Sequence, residues 1–444
     1  MDRLTRRETI AIGAGGLTAA GLIGQPAYAA IPVANVPLPK HPIEAGATLR
    51  VIRPTKFVDP DETVWNENTA RFTKTTGIPV RTDYIGWQDI QAQVAVAART
   101  GAGPDVVAGF SDAPHLYEEK ILDMTELAGY LGKKYGGWGA LPLVYGRKHG
   151  TQKWLSIPMG CGGGALVYRK SWVNEAGYEK PPNEMDKFLD LCRKLHKNKH
   201  PVGWALGNSV GDGNGTATWL LWAHGAYQVD EKGKVAISSK ETLEALKYAA
   251  ELYKTFIPGT LSWLDPSNNK AYIAEEISMT SNGVSIYFVL KGDPATARIA
   301  ADTEHARLPG AKGDQYPESA NTLNAMVFKH TKYPNAAKEY LRFMMEAEQY
   351  DPWLTKCLGY WAHPLLAYDQ SDCWKLDPKI LPYRDAQKMT RYNGYKGPIS
   401  SAAAAASEEY ILVQMVAAAA SGQSSPADAM KEADRRLTRI YRKA

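Results

Sequence analysis

Aromatic side chains that combine an apolar face with a polar edge are unusually frequent in this sequence. It contains 12 Trp and 24 Tyr residues but only 8 Phe residues. Such rings cover the C–H face of a sugar-like molecule, while fixed polar groups nearby satisfy its hydroxyls. This chemistry is binding rather than bond breaking, and it applies only to those rings that line a cleft instead of a core.

Two candidate ligand contacts follow predicted strands in the first half of the chain. Trp87 comes shortly after a predicted strand at Ile78–Tyr84, and open α/β sheets bind ligands at the carboxyl ends of their strands. Asp112 follows the predicted strand Asp105–Val107. Its carboxylate either accepts hydrogen bonds from a ligand or caps the short helix that follows.

A run of glycines from Met159 to Gly164 is the most unusual stretch of the sequence. Gly160, Cys161 and Gly162 allow a ligand to approach the backbone closely, or simply let the chain bend. A phosphate-binding P-loop is a poor match, because no Gly-Lys-Ser/Thr motif follows. A reactive thiol at Cys161 would need a neighbouring base, which the sequence does not supply.

Polar and aromatic residues also cluster in the second half of the chain. Residues 208–218 form a glycine-rich polar stretch that predicts a loop, with Asp212 and Asn214 as hydroxyl-binding candidates. Trp219 shares one helix face with Trp222, so core packing competes with a cleft position for it. The remaining candidates are Asn282 before Gly283, the pair Tyr360 and Trp361, and Asn393, with Trp361 as the main stacking candidate.

Motifs for metals, cofactors and catalysis are missing from the sequence. The four cysteines form no CxxC pair, the nine histidines form no HExxH pattern, and residues 208–218 lack the distal Glu of an EF-hand loop. Cys357 and Cys373 could form a disulfide in an oxidising compartment. A secreted carbohydrate-active enzyme would need two carboxylates across one bond; Asp112 and Asp212 are candidates, but nothing pairs them. We expect no catalytic residue, no cofactor and no metal.

Size and charge indicate an ordinary globular protein with more than one core. The chain has 444 residues, 44% hydrophobic content and a formal net charge of +5. A single core stops growing well before this length. The basic residues are interspersed rather than clustered on one face, which argues against a nucleic-acid partner.

The first residues are typical of an export signal. Arg3, Arg6 and Arg7 precede a mildly apolar run, which ends at the Ala27-Tyr28-Ala29 cleavage pattern. The paired arginines resemble a twin-arginine signal, with the general secretory route as the alternative. The apolar run is too short for a spanning helix, and no Cys follows it for a lipid anchor. We therefore expect a signal peptide over residues 1–29 and a soluble periplasmic product.

The elements that must position these residues alternate between strands and helices. A strand at Leu49–Ile52, a helix at Asp61–Thr76 that ends at Gly77, and the strand Ile78–Tyr84 predict a parallel sheet with helical crossovers. The same alternation recurs later in the chain, which predicts an α/β protein with two lobes. Residues 30–47 contain several prolines and predict an extended arm.

Several segments, in order, resemble the extracellular solute-binding protein family that includes maltose- and glycerol-phosphate-binding proteins. They are Gly101–Val107, Lys153–Pro158, Leu166–Lys170, Glu175–Gly177, Met279–Gly283 and Tyr333–Leu341. The resemblance extends from about residue 48 to the C-terminus. It implies a two-lobed, maltose-binding-protein-like (type II) periplasmic binding fold with a hinge, and lobe closure on the ligand. The partners it implies are a small sugar-like solute and the membrane permease subunits of an ABC transporter, with the binding protein itself a monomer.

The resemblance also implies lobe boundaries. They are 48–157 with 284–330 for the N-lobe, and 158–283 with 331–444 for the C-lobe. Two other ligand classes remain open for such a fold. A phosphorylated or sulfonated polyol would need cleft cations such as Arg53 or Lys56, and a polyamine would need several cleft acids.

Overall fold

A computed structural model describes residues 31–310 and 318–443 of the chain. The expected signal peptide at residues 1–29 lies outside the described residues. Within that part of the molecule, no helix is both long and apolar enough to cross a membrane.

The strands form two separate sheets. Their bounds are β1 (Leu49–Pro54), β2 (Val80–Ile85), β3 (Val106–Phe110), β4 (Ile157–Gly163), β5 (Ala165–Arg169), β6 (Met279–Asn282), β7 (Thr303–Ala306) and β8 (Ala320–Val327). The first sheet has the order β2-β1-β3-β8-β4, and the second has the order β6-β5-β7.

Helices surround both sheets. The first group is α1 (Asp59–Thr76), α2 (Ile90–Thr100), α3 (Ala113–Leu116), α4 (Thr125–Lys134), α5 (Ala140–Gly146), α6 (Lys170–Glu175), α7 (Met185–Lys197), α8 (Asp212–Trp222) and α9 (Lys240–Tyr253). The second group is α10 (Ser267–Ile273), α11 (Ser285–Gly292), α12 (Ala297–Asp302), α13 (Pro334–Met345), α14 (Ala347–Lys356), α15 (Leu381–Met389), α16 (Ser401–Glu408), α17 (Ile411–Ala420) and α18 (Pro426–Tyr441).

The first sheet is mixed rather than wholly parallel. β1 pairs in parallel with β2 and β3, as the strand–helix alternation predicted. β8 runs antiparallel to both β3 and β4, because it enters the sheet between them from far along the chain. The second sheet is antiparallel at both of its pairings. The crossover pattern therefore predicted the parallel pairs correctly but missed these antiparallel ones.

Two large hydrophobic cores follow the alternation of side chains along the strands. On β5, Ala165 and Val167 belong to the larger core, whereas Leu166 and Tyr168 belong to the smaller one. Successive side chains of a strand point to opposite faces, so one strand serves both cores. The larger core thus extends from the first sheet onto one face of the second. The smaller core fills the opposite face with α7, α8, α9 and the C-terminal helices.

The connections between the sheets differ from the lobe boundaries expected from sequence. Residues 157–163 are a strand of the first sheet, and the chain enters the second sheet directly after Gly164. Residues 303–306, expected in the N-lobe, pair with β5 in the second sheet. Helix α13, expected in the C-lobe, packs against α1, α4 and β8 of the first sheet. The glycine-rich residues 160–164 lie where the chain passes from the first sheet to the second.

All four cysteines are buried free thiols, so Cys357 and Cys373 form no disulfide in this structure. Burial raises the pKa of both thiols, which keeps them protonated and unreactive. The proline-rich arm lies on the surface against α4 and α13: Ala34 N donates to Lys134 O at 2.9 Å, and Asn335 N donates to the Glu44 carboxylate at 2.9 Å.

Candidate ligand-binding site

A cavity lies between the two sheets, where β4, β6 and β8 meet. Its volume is about 90 Å³. Typical ligand pockets span about 300–1,000 Å³, so a sugar-sized molecule enters only if the cavity walls move apart. The lining residues are Phe57, Trp87, Gly162, Gly163, Gly164, Gly211, Asp212, Gly215, Asp265, Ser281, Asn282, Gly283, Leu308, Glu318, Ser319, Asn321, Tyr360 and Trp361.

Aromatic rings form the wall on the side of the first sheet. Trp87 and Trp361 are parallel, with ring centroids 6.1 Å apart and planes inclined by 8°. Phe57 packs edge-on against Trp87 at 5.0 Å, and Tyr360 packs edge-on against Trp361 at 5.2 Å. We call these four residues the aromatic wall. Their geometry is that of preferred aromatic pairs, which fixes the rings as a rigid apolar surface.

The position of Trp361 depends on two backbone hydrogen bonds and a glycine. Cys161 N donates to Ala362 O at 2.7 Å, and Ala362 N donates to Cys161 O at 2.9 Å, which ties the Trp361 segment to β4. A Cβ added at Gly160 would lie 2.5 Å from the Cβ of Trp361. Real side chains do not approach that closely, so only glycine permits this contact.

Carboxylates form the wall on the side of the second sheet, and Asp265 organises it. Its carboxylate accepts hydrogen bonds from the backbone N–H groups of Gly211 at 2.9 Å, Asp212 at 2.8 Å and Val210 at 3.2 Å. These donors belong to the start of α8, where a negative charge is stabilised by the helix dipole. Gln88 Nε2 also donates to Asp265, at 3.0 Å. This bond joins the first-sheet side of the cavity to the second.

The pKa values of the two neighbouring aspartates are both raised. For Asp212 the main cause is burial, followed by repulsion from the Asp265 carboxylate. For Asp265 burial raises the pKa, while the hydrogen bonds from the α8 backbone oppose the change. Two carboxylates held so close disfavour each other's ionised form.

Three polar atoms of the cavity residues are buried without a hydrogen-bond partner among the described residues. They are Asp212 Oδ2, Glu318 Oε2 and Trp361 Nε1. Glu318 and Trp361 are each only 2% exposed. An unsatisfied buried group of this kind costs about 1–3 kcal/mol, so a molecule that pairs with it gains that energy. Two acceptors and one donor are therefore ready to bind hydroxyl or amine groups.

Asn282 lies at the end of β6 and is held by its neighbours. Its side-chain oxygen accepts a hydrogen bond from Gly283 N at 2.7 Å, and its amide nitrogen donates to Asn268 Oδ1 at 3.1 Å and to Asn269 Oδ1. This network fixes the chain as it leaves the second sheet. Ser281 lines the cavity next to it.

Six of the residues predicted from sequence line this cavity together: Trp87, Gly162, Asp212, Asn282, Tyr360 and Trp361. Gly160 and Cys161 lie behind the aromatic wall and support it from β4. The Cys161 side chain is buried, and burial raises the pKa of its thiol. Trp219 is fully buried in the smaller core, where its Nε1 donates to Pro309 O at 2.9 Å. It is a core residue, because its ring packs against Phe188 and Trp204.

Asp112, Asn214 and Asn393 lie together in a different place. Asn214 and Asn393 line a separate small cavity of about 20 Å³ between α8, α16 and the 393–395 segment. Asn393 Nδ2 donates to Asp112 Oδ2 at 3.1 Å, and Asp112 makes no side-chain capping bond to α3. Burial raises the pKa of Asp112 to about 6. These residues form a buried contact and are not brought to the main cavity.

Several cavity residues were missed by the sequence analysis. Asp265 is 53 residues from its partner Asp212, so no local spacing identifies it. Glu318 lies beside the lining residues Ser319 and Asn321, but no motif marks that segment as a site. Phe57 follows β1, which is the signal that identified Trp87, whereas Asn321 lies at the start of β8 and lacks that signal. Glu318 accepts hydrogen bonds from Arg307 Nε at 3.1 Å and from Leu308 N at 2.8 Å.

Arg53 and Lys56, the two basic residues considered for binding an anionic ligand, do not line the cavity. Arg53 is fully buried and paired with Asp61 at 2.5 Å. Lys56 pairs with Asp59 at 2.7 Å on the surface. Among the described residues that line the cavity there is no Lys, Arg or His. The described residues also contain no group of three or more His, Cys, Asp or Glu side chains arranged for a metal ion.

The chain matches a known protein family and resembles one curated protein. A family model described as bacterial extracellular solute-binding protein matches residues 68–382. The chain is similar to YcjN of Escherichia coli (strain K12), whose name makes it an ABC transporter periplasmic-binding protein. The two are 22% identical over 298 residues, which cover 65% of this chain and 67% of YcjN.

Solved structures of the same shape include two sugar or polyol complexes. A sugar transporter protein from Arthrobacter chlorophenolicus A6 with bound laminaribiose has a TM-score of 0.75 and 17% identity, covering 89% of this chain and 99% of that one. An ABC transporter solute-binding protein from Agrobacterium vitis S4 with bound D-mannitol has a TM-score of 0.71 and 19% identity, covering 90% and 99%. At these identities the likeness shows the fold, which is the two-lobed, maltose-binding-protein-like arrangement.

Proposed function

The chain belongs to the bacterial extracellular solute-binding proteins, and on that basis we propose that it captures a carbohydrate or sugar-like solute for an ABC importer. The ligand occupies the cavity between the two sheets. The observation that carries the proposal is the meeting of the aromatic wall with buried, unpartnered carboxylate and indole atoms. Rings of the wall cover C–H faces, and the unpartnered atoms bind hydroxyls.

Six residues are proposed as ligand contacts. They are Trp87, Gly162, Asp212, Asn282, Tyr360 and Trp361, with Glu318 and Asp265 added by the structure. The sheet-centred halves move apart to admit the solute and close on it, a hinge motion that binding proteins use generally. The small cavity volume and the Gln88–Asp265 bond between the halves support such a closed arrangement.

A phosphorylated or sulfonated ligand fits this cavity poorly. Its negative charge would face Asp212, Asp265 and Glu318, with no cation among the described lining residues to receive it. Like charges brought together in a buried site repel strongly. A neutral or positively charged ligand avoids this repulsion.

Hydrolysis of a glycoside also fits poorly. Of the two carboxylates weighed for that role, Asp212 lines the main cavity, whereas Asp112 lies outside it and accepts a hydrogen bond from Asn393. The closer pair, Asp212 and Asp265, lies on one wall, and Asp265 already accepts four hydrogen bonds. A glycosidase needs its two carboxylates on opposite sides of the scissile bond. Capture without turnover is the better reading of this arrangement.

The cellular setting follows from the export signal of the sequence. We propose cleavage after Ala29, twin-arginine export and a soluble periplasmic product. The permease subunits of an ABC importer then recognise the closed, ligand-bound monomer.

Thermal unfolding of the mature protein in a ligand panel tests the proposal. The panel holds mono- and disaccharides, polyols, sugar phosphates and amino acids. A ligand at 100 times its Kd stabilises the folded state by about 2.7 kcal/mol, which raises Tm visibly. We expect stabilisation by sugars or polyols and none by sugar phosphates. Stabilisation by amino acids or sugar phosphates alone would make the assignment wrong, and so would steady release of product from a glycoside.

A further inference from the structure

The charges that line the cavity are unbalanced. The carboxylate wall consists of Asp212, Asp265 and Glu318, and the described lining residues contain no basic side chain. Glu318 has Arg307 behind it, with Nε at 3.1 Å. No basic side chain pairs with Asp212 or Asp265 among the described residues: burial, the Asp265 charge and Asn268 act on the pKa of Asp212, and burial and backbone N–H groups act on that of Asp265. Glu318 therefore has a basic partner in the described structure, whereas Asp212 and Asp265 have none.

One carboxylate oxygen of this wall, on a residue that lines the cavity, lacks a hydrogen-bond partner among the described residues. Asp265 is satisfied by three backbone N–H groups and by Gln88. Asp212 Oδ2 is buried and accepts no hydrogen bond within the described structure. Burial and the Asp265 charge disfavour the ionised form of Asp212 and raise its pKa, and a neutral hydroxyl that donates to this oxygen does not remove either cause. A cationic donor satisfies the oxygen and neutralises the charge, and such charge-assisted bonds are about twice as strong as neutral ones.

The opposite wall is also suited to a cation. The indoles of Trp87 and Trp361 are the aromatic rings that attract positive charge best. Trp361 Nε1 has no partner in the described residues. A hydroxyl oxygen can accept a hydrogen bond from it, whereas a protonated amine has no lone pair to do so. A linear polyamine would leave this donor unpaired, whereas a ring or chain that carries both hydroxyls and an amine satisfies both walls.

From this arrangement we propose that the preferred ligand carries a protonated amine as well as hydroxyl groups, as an amino sugar or an aminated polyol does. The amine binds Asp212 at the start of α8, and the hydroxylated part lies on the aromatic wall. This inference rests on the proposed capture of a sugar-like solute and names the chemical class of that solute.

Matched ligand pairs test the inference by isothermal titration calorimetry on the mature protein near neutral pH. The pairs are D-glucose with D-glucosamine, D-glucitol with 1-amino-1-deoxy-D-glucitol, and D-galactose with D-galactosamine. N-acetylated forms of the same amines keep the size of the substituent but remove its charge, and spermidine represents the linear polyamines. We expect the aminated member of at least one pair to bind about tenfold tighter than its hydroxyl counterpart. Its N-acetylated form should lose that gain.

Variants assign the preference to one carboxylate. Asp212→Asn should abolish the difference between the aminated and hydroxylated ligands. Asp112→Asn, which removes a carboxylate outside the cavity, should keep that difference. The comparison of ligands on the unaltered protein needs neither variant, so misfolding of Asp212→Asn leaves the test intact.

The outcomes separate this inference from the proposed function. If neutral sugars or polyols bind as tightly as their aminated counterparts, the inference is wrong and sugar capture stands. If spermidine binds more tightly than every aminated sugar, the inference is also wrong. If no sugar, polyol or aminated form binds, both the inference and the proposed function are wrong. Retention of the amine preference in Asp212→Asn would exclude Asp212 as its cause.

Discussion

Trp87 and Trp361 lie parallel in one wall of the cavity, yet their indole nitrogens differ in partner. Trp87 Nε1 donates to Thr55 O at 2.9 Å, whereas Trp361 Nε1 is buried without a partner among the described residues. The first nitrogen positions its ring, and we propose that the second donates to a ligand. The pair therefore offers a comparison in which the same substitution removes a structural bond in one case and a ligand bond in the other.

Trp87→Phe should mainly lower stability, whereas Trp361→Phe should mainly weaken ligand binding. Both changes remove the same atoms, so their packing losses are similar. Trp87→Phe leaves Thr55 O without its donor and should lower the free energy of unfolding by about 1 kcal/mol more than Trp361→Phe does. Trp361→Phe should weaken binding of the best sugar-like ligand about fivefold to tenfold. Chemical denaturation and calorimetry measure the two quantities; equal stability losses would contradict the assigned roles.

Gln88→Ala should loosen the two halves of the molecule. The side chain of Gln88 bonds to Asp265 across the cavity at 3.0 Å, and alanine cannot replace that contact. We expect a larger radius of gyration for the ligand-free variant in small-angle X-ray scattering. Gln93→Ala is the matched control, since Gln93 is exposed on α2 and does not line the cavity. If the Gln88 and Gln93 variants scatter alike, the bond does not hold the halves together.

Asp112→Asn should stabilise the protein at neutral pH. Burial raises the pKa of Asp112 to about 6, above the value of about 3.9 for an unfolded chain. The folded state thus binds more protons between these values, and the contribution of Asp112 to stability falls as the pH rises from about 4 to about 6. Above that range the carboxylate is charged at a cost of up to about 3 kcal/mol, which asparagine avoids while still accepting from Asn393.

The pH profile of that difference is the measurement. Denaturation midpoints of the wild type and Asp112→Asn are compared from pH 4 to 8. The advantage of the variant should grow as the pH rises through this interval. Glu408 adds to the effect, because burial and then the Asp112 charge raise its pKa to about 8. A difference that stays constant with pH would show that Asp112 is not the titrating group.

Gly160→Ala should displace Trp361 and weaken ligand binding. The added Cβ would lie 2.5 Å from the Trp361 Cβ, so the ring must move or β4 must distort. We expect a lower Tm and at least about tenfold weaker binding of the best ligand. Gly129→Ala in α4 is the control, because nothing lies within 4 Å of its added Cβ. It should stabilise by about 0.5–1 kcal/mol, and a similar gain in Gly160→Ala would contradict the contact.

Local signals in the sequence predicted much of the first sheet correctly. Gly77 was predicted to end the first helix, and it does so with a left-handed φ of 75°. The alternation of strand and helix from Leu49 to Val107 predicted three strands of a parallel sheet, and β1 pairs in parallel with both β2 and β3. These features depend on neighbouring residues, which is why one sequence reveals them.

Features that depend on distant residues were not predictable in this way. The polar glycine-rich stretch around Asp212 predicts a loop, but α8 begins there. Its first N–H groups are satisfied by Asp265, which lies 53 residues further along than Asp212. The same distant contact places Asp265 in the cavity. The prediction that Asp112 lies in the ligand cavity was wrong for a related reason, since its partner Asn393 is 281 residues away.

The place of β8 in the first sheet governs when that sheet can be completed during synthesis. β3 and β4 have no ladder with each other, and both pair with β8, which comes from residues 320–327. All strands of the second sheet precede β8 in the chain. A nascent chain that ends before Ala320 therefore exposes the edges of β3 and β4, and exposed edges favour aggregation. The first sheet therefore begins to form early, but it can be completed only after all strands of the second sheet have been synthesised.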